Sequence, residues 1–429
     1  MTKEFRPLWF DPQYRARSAE LSEAIKNFAN RLSDLELSGG LRQRARHDAA
    51  RAKFVASVEA LACNLMLLTL MDDDVALAVP RAHGSMWGRG RYSNPVYGEH
   101  FLSSIDVMTT LGVLRKVSTG YRYSEKAKAP SLVIPTEGLA RSLPVAGFSV
   151  KSLKRLDEPE VLILKTGKDA NDQSEPINYK DSRRMNLMRD QIRRLNTRLG
   201  DANIEITEAG TALQLGTDGG LIVLHRRALR RIFNNGSWQD GGRLAGGFWM
   251  SMPRAERFER IRLDGEQIAD VDYRQLFPRL AYVRSQAKQP EDDIYDVAGD
   301  KTGRDGWKVL LNAMLFADDR LGNWPKGARE HFPEGTKLRD AIEMLERKHA
   351  PIAHLFGKGL GYQLMKAESD ILIRVVSHLF EQRITALPLH DAVLVARSHA
   401  ETARKAMQDE FTHRTGSRCA IVSVDFGVI

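Results

Sequence analysis

The chain has 429 residues, of which 42% are apolar and 28% charged. That balance excludes a disordered, collagen-like or membrane-embedded polypeptide and leaves room for about two to four domains. Lys and Arg outnumber Asp and Glu to give a net charge of +9, which favours a polyanionic partner: nucleic acid first, and an anionic membrane surface second because no basic amphipathic anchor stands out.

Two cysteines, Cys63 and Cys419, are too few for a disulfide framework or a zinc knuckle. The apolar stretch from Ala60 to Met71 is too short to cross a bilayer, and no signal-peptide core follows Met1. The expectation is a cytoplasmic protein with no membrane partner.

Up to Leu143 the pattern is mostly helical. Phe54, Val58, Leu61, Leu65 and Leu68 recur at three- and four-residue steps and predict a buried helix, with Arg42, Arg44, Arg46, Arg51 and Lys53 just upstream. Asp34 and Glu36 have the spacing of an exonuclease motif, but they sit in a helical stretch without the surrounding strand and downstream carboxylates. They read as a surface helix, and no proofreading is expected. After a loop from Gly84 to Tyr97, the residues Phe101, Ile105, Met108 and Leu111 predict a second amphipathic helix ending near Gly112. Val113 to Val117, a turn at Ser118-Thr119-Gly120, Tyr121 to Tyr123, and Ser131 to Pro135 then predict a basic β-ribbon. Helix followed by ribbon is the layout of a winged helix, whose helix and wing can both reach DNA; a small α/β packing domain without a ligand is the alternative.

The middle region, 144–240, holds a buried strand at Val161 to Leu164, a polar loop from Thr166 to Pro176, and a helix from Arg183 to Leu199. The helix has an apolar stripe through Met185, Met188, Ile192 and Leu195, with six arginines around it. His225 to Arg231 adds another basic run. This reads as a thumb-like basic connector whose charges are solvated or face phosphates. Gly167-Lys168 and Gly357-Lys358 lack the leading Gly of a phosphate-binding loop, with Leu162 and Ile352 in its place, so no P-loop is present.

From Gly241 onward the residues carry chemistry. Ile268 to Tyr282 reads as a strand that ends at Asp272 and turns into a helix, and Ala386 to Ala396 reads as a hairpin with His390-Asp391 at its tip. Carboxylates on neighbouring strands could hold two divalent ions about 3.5–4 Å apart, the arrangement of phosphoryl or nucleotidyl transfer. Between them, Arg304, Lys308, Asn312 and Phe316 fall at four-residue steps and share one helical face, while Trp307, Leu310, Leu311 and Met314 take the other. Two cations, an amide and an aromatic in line suit a nucleoside triphosphate.

Gly242-Arg243-Leu244, the Asp272 segment, the Arg304 helix and the His390-Asp391 hairpin together resemble the palm and fingers of family A DNA polymerases, in order and approximate spacing, over about 241–429. Asp272-Tyr273-Arg-Gln275-Leu-Phe277-Pro-Arg279 is similar to that family's motif A, Asp-Tyr-Ser-Gln-Ile-Glu-Leu-Arg. Arg304, Lys308 and Phe316 fall on its motif B, and His390-Asp391-Ala392 is similar to its motif C, His-Asp-Glu. Asp293-Ile294-Tyr295 echoes the segment before motif B.

The resemblance implies an α+β right hand, with an antiparallel palm sheet and helical fingers inserted at about 290–365, preceded by the winged-helix-like region 1–143 and the connector 144–240. It implies that Asp272 and Asp391 ligate two Mg²⁺ ions, or Mn²⁺ in their place, and that Lys308 and Arg304 hold the triphosphate, with Lys308 also protonating the pyrophosphate. Asn312, Phe316, Phe277 and Tyr273 would meet the incoming nucleotide. Arg243, Arg279 and His390 would meet the primer–template.

Phe277 stands where family A has Glu, a departure similar to motif A of family B, and an aromatic there acts as a steric gate against the ribose 2′-hydroxyl. Ala392 replaces the motif C Glu. The expected function is template-directed addition of deoxynucleotides to a 3′-OH, with a DNA primer–template, nucleoside triphosphates and replication or mobile-element proteins as partners. The alternatives are a primase or RNA polymerase on the same palm, a DNA-binding initiator or regulator with a vestigial palm, and a nuclease, which would leave the Arg304 to Phe316 stripe unexplained.

Overall fold

A computed structural model of the chain describes residues 5–81, 90–118, 131–169, 172–207 and 226–427. They form an α+β fold of two compact units, one built from residues up to Glu160, the other from Val161–Thr207, Leu229–Met250 and the segment from Arg254 onward. The stretches 161–207 and 229–240, set apart in the sequence as a connector, cluster here with the C-terminal segments.

The first unit runs β1 (Arg6–Trp9), β2 (Tyr14–Ala16), α1 (Ala19–Ser38), α2 (Asp48–Leu68), β3 (Val75–Val79), α3 (Glu99–Thr110), β4 (Leu114–Ser118), β5 (Ser131–Pro135), α4 (Glu137–Ser142) and β6 (Leu153–Arg155). The Ser18 hydroxyl accepts from the Leu21 amide and starts α1. Helix α2 is apolar nearly all round and is accordingly the centre of the core, with Phe54, Val58, Leu61 and Leu65 all fully buried. The expected ribbon is present as β4 and β5, but within a four-stranded sheet of order β1-β3-β5-β4. Its other strands were not foreseen: Val-Ala-Leu-Ala-Val in β3 is buried on both faces and has no alternation to mark it. Residues 82–89 of the expected loop, and the expected turn and strand over 119–123, lie outside the described residues.

Two readings of this unit change. Glu36 is not on a surface: its side chain, 5% exposed, pairs with the equally buried Arg46, whose guanidinium also lies 3.7 Å from the Phe54 ring centroid and 2.8 Å from the Ser103 hydroxyl. One arginine of the basic approach is therefore spent inside the fold. The exposed residues of α3 include Glu99, Asp106, Thr109 and Thr110, whereas β4 exposes Arg115 and Lys116, so the positive charge sits on the ribbon rather than the helix.

The second unit comprises β7 (Leu162–Leu164), α5 (Arg183–Asp201), β8 (Ile204–Ile206), β9 (Arg230–Phe233), β10 (Gly241–Ala245), α6 (Arg254–Arg260), β11 (Ile261–Leu263), β12 (Glu266–Arg274), α7 (Leu276–Arg284), α8 (Arg304–Phe316), α9 (Leu338–Lys348), α10 (Gly361–Glu381), β13 (Ala386–Leu389), β14 (Ala392–Ala396), α11 (Ala400–Thr415) and β15 (Ile421–Asp425). Strands β11 and β12 join through Asp264-Gly265, both at positive φ, the two-residue turn that matches strand twist. Strand β12 is the spine of the main sheet. It pairs antiparallel with β14 on one side and, over its second half, with β15 on the other.

Helices α10 and α11 pack on each other, and α11 lies on β12. A separate core holds Ile294, Trp307, Leu310, Leu311, Phe332 and Leu345, joining α8 to α9. The foreseen apolar stripe of α5 is buried, and Arg183, Arg184, Arg193, Arg194 and Arg198 are exposed. Two basic positions depart from that reading. Arg189 is buried against Asp181 at 2.7 Å, and Arg231 bonds Asp370 at 2.5 Å and the Gly242 carbonyl at 2.8 Å. No described helix is long and apolar enough to cross a membrane.

Candidate active site

Strand alternation sends Asp270, Asp272 and Arg274 to one face of β12 and Val271 and Tyr273 to the other. Val271 is fully buried, and the Tyr273 ring packs against Phe411 with its hydroxyl donating to the Met407 carbonyl at 2.5 Å. The phenol thus belongs to the core beneath the sheet, and Tyr273 meets the site through its backbone, whose amide donates to the Asp391 carbonyl. Asp391 is brought in by register. Ala392 faces Asp272 across β12 and β14, and the two-residue turn before it carries exposed His390 at φ 56°. Residues 119 apart in the chain thereby line one cavity of about 610 Å³, together with Asp270, Asp425, Phe277, Arg304, Lys308 and Asn312.

Burial, the neighbouring Asp391 and then Asp270 push the Asp272 carboxyl up to about 8, against the pull of Lys308 and Arg274. Burial raises Asp391 as well, opposed by its own amide, Arg243, His390 and Lys308. Both carboxyls are thus harder to ionise than free ones, a penalty that a nearby cation would relieve. The donor set, two carboxylates lining one cavity, suits a hard divalent ion that retains part of its water shell. Among the described residues no group of three or more His, Cys, Asp or Glu side chains is arranged to hold one ion.

Helix α8 presents three of the four expected side chains, Arg304, Lys308 and Asn312, to this cavity, whereas Phe316 is not among its lining residues and packs against Phe277, which is. Arg304 is clamped: its Nε lies 2.6 Å from Asp293, which also accepts from the Gln275 amide nitrogen at 2.6 Å and the Tyr295 backbone at 2.9 Å. Burial works against the Asp293 charge, but the bonds from Arg304 and the Tyr295 amide, with the charges of Arg304 and Lys301, hold its carboxyl below the ordinary value. Lys308 is exposed and makes no ion pair with a described residue, while its charge reaches both Asp272 and Asp391. The Asn312 carbonyl oxygen is buried with no hydrogen-bond partner among the described residues.

The Phe316 ring meets Phe277 and Tyr362, each at 5.6 Å between centroids. Gly361 makes this packing possible, since a Cβ there would lie 2.3 Å from the Phe316 ring. Arg243 on β10 stands over Phe277 at 5.4 Å and forms two 2.8 Å bonds to Glu368, a side chain 1% exposed. Arg279 does not reach the cavity; it is buried in α7, with one nitrogen 3.0 Å from Gln275.

Sequence reasoning missed Asp270, Asp425 and Glu368. Asp270 had a signal, because period two places residue 270 on the face of 272. Asp425 had none, because only the β15 pairing, Asp270 opposite Asp425, brings it to the site.

No family model matches the chain, and no curated protein matches it. Among solved structures it is similar to the POL domain of Pol1 from M. smegmatis in complex with DNA primer-template and dNTP, with 14% identity and a TM-score of 0.29, over 47% of this chain and 47% of that one.

Proposed function

We propose that the chain is a divalent-cation-dependent, template-directed DNA polymerase that adds deoxynucleotides to a 3′-OH and has no proofreading site. One observation carries this reading: Asp272 on a strand, Asp391 in a hairpin turn and Lys308 on a helix, the last without an ion pair to any described residue, are far apart in sequence and line a single cavity. A carboxylate pair facing an uncommitted cation is what nucleotidyl transfer from a triphosphate requires.

Asp272 and Asp391 would hold two ions, Mg²⁺ or Mn²⁺, which when bound lower the pKa of the attacking hydroxyl and stabilise the leaving oxygen. Lys308 neutralises the triphosphate and supplies a proton to the departing pyrophosphate. Arg304 is fixed by Asp293 through Nε, leaving other guanidinium N–H groups for a phosphate oxygen. The Phe277 and Phe316 rings wall the sugar and base, and Phe277 opposes a ribose 2′-hydroxyl, which favours deoxynucleotides over the primase reading. Arg243 and His390 border the place a primer end would occupy.

The first unit serves as a winged-helix-type module on duplex DNA. The order of β3, α3, β4 and β5, with β5 lying between β3 and β4, supports this. Arg115 and Lys116 would meet phosphates, as would the exposed arginines of α5 in the second unit. The test is extension of a labelled primer–template with Mg²⁺ and either dNTPs or rNTPs, for wild type, Asp272→Ala and Asp391→Ala. Cation-dependent dNTP extension lost in both variants is expected. No extension by the wild type on any primed template, with DNA binding intact, sinks the reading.

A further inference from the structure

Asp270 is 5% exposed, lines the same cavity as Asp272, and its Oδ1 has no hydrogen-bond partner among the described residues. A buried carboxylate oxygen without a donor is costly, and native folds keep one where a ligand, ion or water satisfies it. Its surroundings do not supply the donor. Directly across the sheet stands another carboxylate, Asp425, which is already paired with Arg254 and accepts from the Gly427 amide at 2.9 Å. Arg254 and Arg257 of α6 act on Asp270 only through their fields. The hairpin meanwhile brings a single carboxylate, because Ala392 follows Asp391 and its side chain is buried. Asp272 and Asp391 alone would leave two divalent cations only partly neutralised.

Asp270, Asp272 and Asp391 are not set to hold one ion directly, since among the described residues no group of three such side chains is. Residues two apart on a strand share a face, with Cα atoms about 6.6 Å apart. A cation that keeps its waters removes the difficulty, since a coordinated water extends the reach by a hydrogen bond. We propose that Asp270 is a positioning residue of the cation site, its orphaned oxygen accepting a hydrogen bond from a water bound to the ion that Asp272 and Asp391 hold. This rests on the cation-dependent reading above and adds to it a third carboxylate, placed on the strand before Asp272 rather than after Asp391.

The test is Mn²⁺ binding to the full chain without nucleotide or DNA, followed by the electron paramagnetic resonance of free Mn²⁺, with the thermal midpoint of each metal-free variant recorded. Asp270→Ala should weaken Mn²⁺ binding by about 10- to 100-fold. Asp270→Asn keeps an acceptor without the charge and should fall between Asp270→Ala and wild type, and it serves as the readout if Asp270→Ala does not fold. A merely structural role would lower the midpoint and leave the Mn²⁺ Kd of the folded protein unchanged. A wild type that binds Mn²⁺ and extends primers, with the folded Asp270 variants within twofold of its Kd, overturns this inference alone. A wild type that binds no Mn²⁺ overturns it together with the polymerase reading.

Discussion

Phe277 meets Phe316 and the Arg243 guanidinium on the cavity wall, so its removal opens space on the side a sugar would occupy. Phe277→Ala should raise ribonucleotide use relative to deoxynucleotide use by about 10- to 200-fold, the range one steric contact can discriminate. Competitive extension with matched dNTP and rNTP measures the ratio, and an unchanged ratio removes the gate. Arg243 has a second duty. Burial pushes the Glu368 carboxyl up to about 7, and the two bonds from Arg243 work against that rise. Arg243→Ala leaves a carboxylate buried and unpaired and should cost about 3–5 kcal/mol. Adding Glu368→Gln should recover part of the loss in a denaturant titration; if the double variant is no more stable than the single, the pair is not what holds β10 to α10.

At the scale of the element, His349 fastens the end of α9 to the segment that positions Arg304. Its imidazole is fully buried, with Nδ1 3.0 Å from the Tyr282 hydroxyl and Nε2 3.0 Å from the Ile294 carbonyl. The carbonyl can only accept, so Nε2 carries the hydrogen, and in the neutral ring Nδ1 then accepts from the Tyr282 hydroxyl. Burial holds the ring's pKa down to about 4, below its ordinary 6.5. The sign follows: the unfolded chain binds more protons between these values, so the stability from the neutral ring is present above pH 6.5 and lost as pH falls through about 4. Melting of the wild type should fall across that window, by up to about 3 kcal/mol. His349→Gln should show a flatter pH dependence, and equal slopes would show that other groups carry the acid sensitivity.

For the whole molecule, the net charge of +9 divides into cations that are spent and cations that are free. Arg46, Arg189 and Arg231 are buried in ion pairs, while Arg194 and Arg198 are exposed on one side of α5. The double variant Arg194→Glu and Arg198→Glu should weaken DNA binding and flatten the log–log salt slope by about 1–2. An unchanged slope would move the phosphate contacts elsewhere. The cation helix, the strand carrying Asp272 and the hairpin tip could be read before folding, because each is a periodicity or turn signal contained in one short segment, although the strand runs on to Arg274 rather than ending at Asp272. Strand β3 escaped such reading because both of its faces are buried. The pairing of Arg243 with Glu368, 125 residues away, and of Asp270 with Asp425 carried no local signal at all. Periodicity belongs to one stretch of chain and tells which side chains share a face. Whether a charge on that face is cancelled, clamped or left for a ligand depends on what another stretch places against it, and that is settled by register and packing across the fold.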